Sequence, residues 1–223
     1  MIIWRMIFFT IKAFLWLPGL ALIIGLIRLY IFGLKERYEQ PITDISVLKK
    51  GDIILTGKQN TRSSWCIQLS NVLTRKIKHR FWTHAAIYKG DGKLWEAQKQ
   101  GIIERDINDY IKNGFLIRAF RHKYITDETI IDNVIQFCAD QKGYKYGWFG
   151  LLFYVLSTFT PISFNFLFDN FIVNKICRLD KAYFCSELIV DAFDEAGHPI
   201  SPYDGWRVKP TDFISNPLLE PVK

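Results

Sequence analysis

The chain has 223 residues, 49% of them apolar, and a formal net charge of +7. That length suits one catalytic domain plus an appendage. Its four cysteines (Cys66, Cys138, Cys177 and Cys185) include no C-x-x-C spacing, which argues against a thiolate zinc site or a dithiol redox motif. A structural pairing such as Cys66 with Cys138 stays open at this stage.

The apolar excess is local. Residues 7–34 carry only Lys12 and Arg28 as charges. As a helix they would reach about 42 Å at ~1.5 Å per residue, more than a bilayer core of roughly 30 Å. The two cations near the ends can snorkel, and Pro18-Gly19 would kink the middle. The run is long for a signal peptide and has no clear small-x-small cleavage site, so residues 1–34 are expected to be a retained membrane anchor. More basic residues follow the span than precede it, which favours a cytoplasmic catalytic domain.

Residues 35–47 read as a polar linker, and residues 48–223 as the catalytic domain. Gly51 to Gly57 is a turn leading into a buried strand. Residues 62–77 are weakly helical. The basic run Arg75-Lys76-Ile77-Lys78-His79-Arg80 suits anionic headgroups beside an anchor. No motif supports nucleic acid as a partner.

Thr83 to Tyr88 and Leu94 to Ala97 flank Gly90-Asp91-Gly92, the pattern of a β-hairpin with an expected three-residue loop. Gly101–Arg105 and Phe115–Phe120 are further strands. Thr126 to Gln141 opens on Thr-Asp-Glu and carries apolar residues at helical spacing. Residues 148–168 are uncharged but hold Ser157, Thr158, Thr160, Pro161, Ser163 and Asn165. A crossing there would separate His84 from Cys185, so residues 148–173 are expected to be a hydrophobic insertion packed on the domain or dipping into one leaflet.

Cys185 opens an amphipathic helix that Gly197 would stop. A cysteine taken alone is most often a core residue. At a helix start, however, unpaired N–H groups and the positive dipole end favour thiolate. His84 opens a strand among small neighbours and is the candidate base; His79, His122 and His198 lie in polar or turn-like stretches. In the expected hairpin register His84 faces Gln98, with Glu96 its diagonal neighbour on the same face. There a carboxylate can orient the imidazole. A loop one residue shorter or longer would send Glu96 to the wrong face. Cys185, His84 and Glu96 thus supply nucleophile, base and orienter for acyl transfer from an amide or ester. The Cys185 N–H is one oxyanion donor; the other has no sequence signal.

Four segments occur in this order: Gly-Asp-Ile-Ile-Leu at 51–55, Thr-His-Ala-Ala-Ile-Tyr at 83–88, Trp-Glu-Ala at 95–97 and Tyr-Phe-Cys-Ser-Glu-Leu-Ile at 183–189. Together they resemble the permuted papain-like cysteine hydrolases, nearest the YaeF/YiiX-type amidases. More distant likenesses are to NlpC-type peptidoglycan peptidases and the lecithin–retinol acyltransferase group. Val208 to Phe213 is similar to the family's closing segment. The resemblance covers about residues 48–218 and implies an α+β fold, a small antiparallel sheet packed on the cysteine helix. It implies Cys185 as nucleophile, His84 as base and Glu96 as third polar group. No cofactor and no metal are expected. The anchor and the 148–173 insertion depart from it.

The combined expectation is a membrane-attached thiol hydrolase, or acyltransferase, acting on a lipid-linked or peptide amide or ester, with membrane lipid as partner. The alternatives are a peptidoglycan-type peptide amidase and an inactive lipid- or peptide-binding module of the same fold. Oligomeric state has no sequence signal.

Overall fold

The structure is a computed structural model that describes residues 41–42, 44–58, 68, 71, 79, 81–147 and 182–223. The expected anchor at 1–34, the basic run apart from His79, and the insertion at 148–173 lie outside the described residues. Among the described residues no helix is long and apolar enough to cross a membrane.

Strands β1 (Ile53–Gly57), β2 (Trp82–Gly90), β3 (Lys93–Gln98), β4 (Gly101–Asp106), β5 (Leu116–His122) and β8 (Leu219–Pro221) form one sheet in the order β4-β3-β2-β1-β5-β8. Every neighbouring pair is antiparallel. Two short strands, β6 (Lys145–Tyr146) and β7 (Ala182–Tyr183), pair in parallel beside it.

Side chains alternate across the sheet because the strand period is two. Ile53, Leu55, Ala85, Ile87, Trp95 and Phe120 share one face with Val134 and Cys138 of α2 (Glu128–Asp140) and Leu188 and Phe193 of α3 (Cys185–Glu195). Ile54, Ala86, Tyr88 and Leu94 occupy the other face with Ile107 and Tyr110 of α1 (Ile107–Lys112). Burial on both faces explains why β1 is apolar nearly throughout rather than alternating. The mixed α/β architecture with an antiparallel sheet agrees with the expectation. Cys138 is a free, buried core cysteine, so it forms no disulfide.

The caps follow local chemistry. Asp127 accepts from Thr129 N–H at the start of α2, and Asp106 accepts from Asn108 N–H at the start of α1, as short acidic side chains do at N-caps. Helix α1 has only six residues, too few for a periodic signal, so the sequence did not announce it. Gly197, at φ +76, follows α3 as anticipated.

The hairpin loop corrects the expectation of three residues. Gly90 pairs with Lys93, leaving a two-residue loop of Asp91 (φ 52) and Gly92 (φ 71). Positive φ at both positions is the requirement of a primed turn, whose twist matches the strands. The register then shifts by one between Tyr88 and Gly90, so that Tyr88 faces Leu94 and Ile87 faces Trp95. The bulge restores the residue that the short loop removes. The inner part of the hairpin therefore has the anticipated register, with Glu96 on the His84 face.

Gly101, at φ +106, sits where Tyr144 crosses the edge of β4; Ile102 N–H donates to Tyr144 O at 3.1 Å, and a Cβ at 101 would lie 2.4 Å from that oxygen. Gly101→Ala is expected to destabilise the domain by about 1–3 kcal/mol, through both the positive φ and the backbone clash. Urea denaturation of the two proteins measures it.

Candidate active site

Glu96 is fully buried, and an isolated ionised carboxylate there would be strongly disfavoured. It is surrounded by donors instead. His84 Nε2 lies 2.8 Å from Oε2, the Tyr110 hydroxyl donates to Oε2 at 2.5 Å, and Arg105 Nε donates to Oε1 at 2.5 Å. Gln98 Nε2 donates to the Tyr110 hydroxyl at 3.0 Å and sits 3.5 Å from His84 Nε2. Burial pushes the Glu96 carboxyl up, but the partners, His84 foremost, more than reverse it and hold it at about 2.

Arg105 and Tyr110 were missed in the sequence. Arg105 was recoverable: β4 pairs Glu96 with Ile103, so Arg105 falls on the same face two residues on. Tyr110 comes from the short helix α1 and had no signal.

The cysteine arrives from the opposite side of the sheet. The β2–β3 ladder runs from Gly90↔Lys93 to Ile87↔Trp95. Tyr88 N–H donates towards β1, to Asp52 O at 2.8 Å, so by strand alternation the Ala85 N–H points away from β1, towards β3. It is given to the sulfur of Cys185, the first residue of α3. Ser186 N–H also donates to that sulfur, and the His84 imidazole is hydrogen-bonded to it. With His84 Nε2 committed to Glu96, Nδ1 is the ring nitrogen left for the thiol. The structure thus brings Cys185, His84 and Glu96 into one chain of contacts.

The electrostatics follow. Burial disfavours the Cys185 thiolate, but the His84 hydrogen bond and charge, with the two N–H donors, bring its pKa below the usual thiol value. Burial likewise disfavours imidazolium, and the Cys185 and Glu96 contacts outweigh it, raising His84 above the usual value. Both shifts favour a thiolate–imidazolium pair. The His84 side chain is 18% exposed, so a reacting group can reach it.

The first turn of α3 is tied on both sides. Glu187 Oε2 accepts from Phe184 N–H at 3.2 Å, and Ser186 Oγ donates to Val208 O at 2.5 Å. Glu187 thus caps the helix start, while Ser186 ties it to the segment at Val208. Phe184, Cys185 and Trp206 cluster together, with Tyr146 packed against them. The other described histidine near the core, His122, stacks on Phe193 and accepts Tyr124 and Ile125 N–H at 3.2 Å through Nδ1. That is a structural role.

No protein-family model matches the chain. The chain is 24% identical over 193 residues to YaeF of Escherichia coli (strain K12), named a probable lipoprotein peptidase; the match spans 79% of this chain and 67% of that one. The fold is similar to the crystal structure of yiiX from Escherichia coli O157:H7, with a TM-score of 0.51, covering 78% of this chain and 96% of that one at 15% identity. The chain is related to the YaeF/YiiX-type proteins. The yiiX protein is described as a metalloprotein. Here both Glu96 oxygens already accept hydrogen bonds. Among the described residues no group of three or more His, Cys, Asp or Glu is arranged to hold a metal ion.

Because the Glu96 pKa is depressed from 4.5 to about 2, its contribution to stability is present above the unfolded value and is lost as pH falls through about 2. The raised His84 acts in the opposite sense, its contribution being lost as pH rises through its folded pKa. Glu96→Gln is expected to unfold more easily at neutral pH by about 3 kcal/mol, with the gap to wild type closing between about pH 4.5 and 2. Chemical denaturation across that range measures it; a gap that does not change with pH would contradict the assignment.

Proposed function

We propose that the chain is a thiol hydrolase that opens an amide or ester bond through an acyl-enzyme on Cys185. The observation that carries this reading is the unbroken contact from the Cys185 sulfur through His84 to the buried Glu96 carboxylate. In the proposed cycle the thiolate attacks the carbonyl carbon and the carbonyl π pair moves to oxygen. The Cys185 N–H, one of the first-turn donors that have no acceptor within a helix, stabilises the oxyanion. The intermediate collapses, the carbon–nitrogen or carbon–oxygen bond breaks, and His84 imidazolium protonates the leaving group. Neutral His84 then takes a proton from water, which attacks the thioester. The acid is released, the thiolate leaves, and the proton remains on His84. With another acceptor in place of water the same steps give acyl transfer. Glu96 holds the ring angle and the imidazolium charge.

The name of YaeF supports a peptide amide as substrate class. The apolar run at 7–34 supports membrane attachment, with residues 35–47 as linker and 48–223 as the catalytic unit; the charge bias favours the cytoplasmic face. A lipid-linked substrate is the finer version, consistent with an anchor and the apolar insertion at 148–173. A binding module of the same fold is the competing reading.

The test uses full-length protein in detergent and a p-nitrophenyl ester to read acylation and turnover. Cys185→Ala and His84→Ala are expected to lose roughly 10³-fold or more in kcat/KM. Equal rates in all three proteins would remove the hydrolase reading. Cleavage of a plain peptide is then compared with that of its N-acylated form in vesicles. Preference for the acylated form supports the lipid-linked class, and equal cleavage supports the simple peptide class.

A further inference from the structure

Arg105, Glu96, His84 and Cys185 lie in one row. Arg105 Nε donates to Glu96 Oε1 at 2.5 Å, and His84 Nε2 lies 2.8 Å from Glu96 Oε2. The imidazole is in turn hydrogen-bonded to the Cys185 sulfur. From β4 to α3 the signs alternate: guanidinium, carboxylate, imidazolium, thiolate. Arg105 is also held from α1, its guanidinium carbon 5.8 Å from the centre of the Tyr110 ring. Among the described residues its other acidic partner is Asp109, 4.0 Å from Nη1 and 49% exposed. A pair so open to water holds the cation weakly. Tyr110 donates to the same Glu96 carboxylate but is neutral. Arg105 is therefore the charged group that divides Glu96 with His84.

The row matters most when the sulfur loses its charge. Once the thiolate has added to the carbonyl carbon, the sulfur is neutral and the new charge sits on the substrate oxygen, at the Cys185 N–H. What remains beside the leaving group is Arg105, Glu96 and His84, two cations on one carboxylate. An imidazolium in that company gives up its proton readily, because the loss leaves a balanced Arg105–Glu96 pair. Without Arg105 the imidazolium and the carboxylate would balance each other, and the proton would be held.

We propose that Arg105 is a positioning residue that shares the Glu96 carboxylate with His84 and so frees the imidazolium proton for a poor leaving group, an amide nitrogen. The step balances. The carbon–nitrogen bond breaks, its electron pair goes to nitrogen and takes the His84 proton, and the oxyanion pair re-forms the carbonyl. A thioester, an amine and neutral His84 result. The inference rests on the proposed acyl-enzyme role of Cys185, and it selects amides from the two bond types named for that role.

The test uses full-length protein in detergent and two probes with the same acyl group, p-nitrophenyl acetate and p-nitroacetanilide. The nitrophenolate leaves without a proton, whereas the anilide nitrogen must receive one. In wild type, Arg105→Gln and Arg105→Lys, kcat/KM on each probe is measured per reactive Cys185, counted by iodoacetamide labelling and peptide mass spectrometry. Arg105→Gln keeps a donor towards Glu96 but removes the charge. Its anilide rate is expected to fall about tenfold more than its ester rate, a part of the roughly 10²–10⁴ that general acid–base catalysis supplies. Arg105→Lys keeps the cation and is expected to keep the wild-type ratio of the two rates. Equal losses on both probes in Arg105→Gln mark a residue needed only for structure and overturn the inference. An equal change of ratio in Arg105→Lys also overturns it, because the charge is then not what acts. Wild type that turns over the ester but not the anilide overturns the inference alone. Wild type that turns over neither probe overturns the hydrolase reading, and the inference with it. Should Arg105→Gln fail to fold by circular dichroism, Arg105→Met, also uncharged, is read for the same ratio.

Discussion

A carboxylate with no exposure to water has to be surrounded by donors, and the arrangement of this site follows from that demand at Glu96. Three elements meet it: β2 supplies His84, β4 supplies Arg105 and α1 supplies Tyr110. Each is aimed at the same two oxygens, so the imidazole is oriented by a rigid group. The carboxylate charge then favours imidazolium, and imidazolium favours thiolate. The order matters, because a thiolate at Cys185 without this support would be disfavoured by its own burial.

The second constraint is geometric. His84 and Glu96 lie on the α1 face of the sheet, while α3 packs on the other face with its apolar side chains. The sulfur reaches the imidazole because the strand ladder between β2 and β3 extends only to Ile87↔Trp95. Beyond that point the Ala85 N–H turns from a ladder donor into a sulfur donor. The bulge between Tyr88 and Gly90 belongs to the same construction, because it lets a tight primed turn coexist with a register that keeps Glu96 beside His84. A hairpin with the short turn and no bulge would put the carboxylate among the apolar residues facing α2 and α3.

The helix that carries the proposed nucleophile therefore serves two demands. Its start must be held in place, which Ser186 and Glu187 do through Val208 O and Phe184 N–H. It must also stay electrostatically favourable to a negative sulfur. Relationship to YaeF/YiiX-type proteins accounts for the fold; the local balance of charge is a property of these particular side chains.

Much of this was legible in the sequence. Strand alternation, the Gly-Asp-Gly turn and the cap before α2 are local signals, and local signals survive in a bare chain. They marked β1 to β5, α2, α3 and the three residues Cys185, His84 and Glu96. The loop length was misjudged, because three consecutive turn formers do not reveal which of them pairs. Arg105 was available to alternation once the β3–β4 register was known. Tyr110 was not, since a one-and-a-half-turn helix leaves no periodic trace and its contact spans two elements. What the sequence determined by itself was the set of elements and the kinds of side chain each could present, because those depend on neighbours a few residues apart. What only the tertiary structure decided was which donors surround Glu96 and which backbone N–H meets the sulfur, because those contacts join segments up to a hundred residues apart and depend on where one ladder stops.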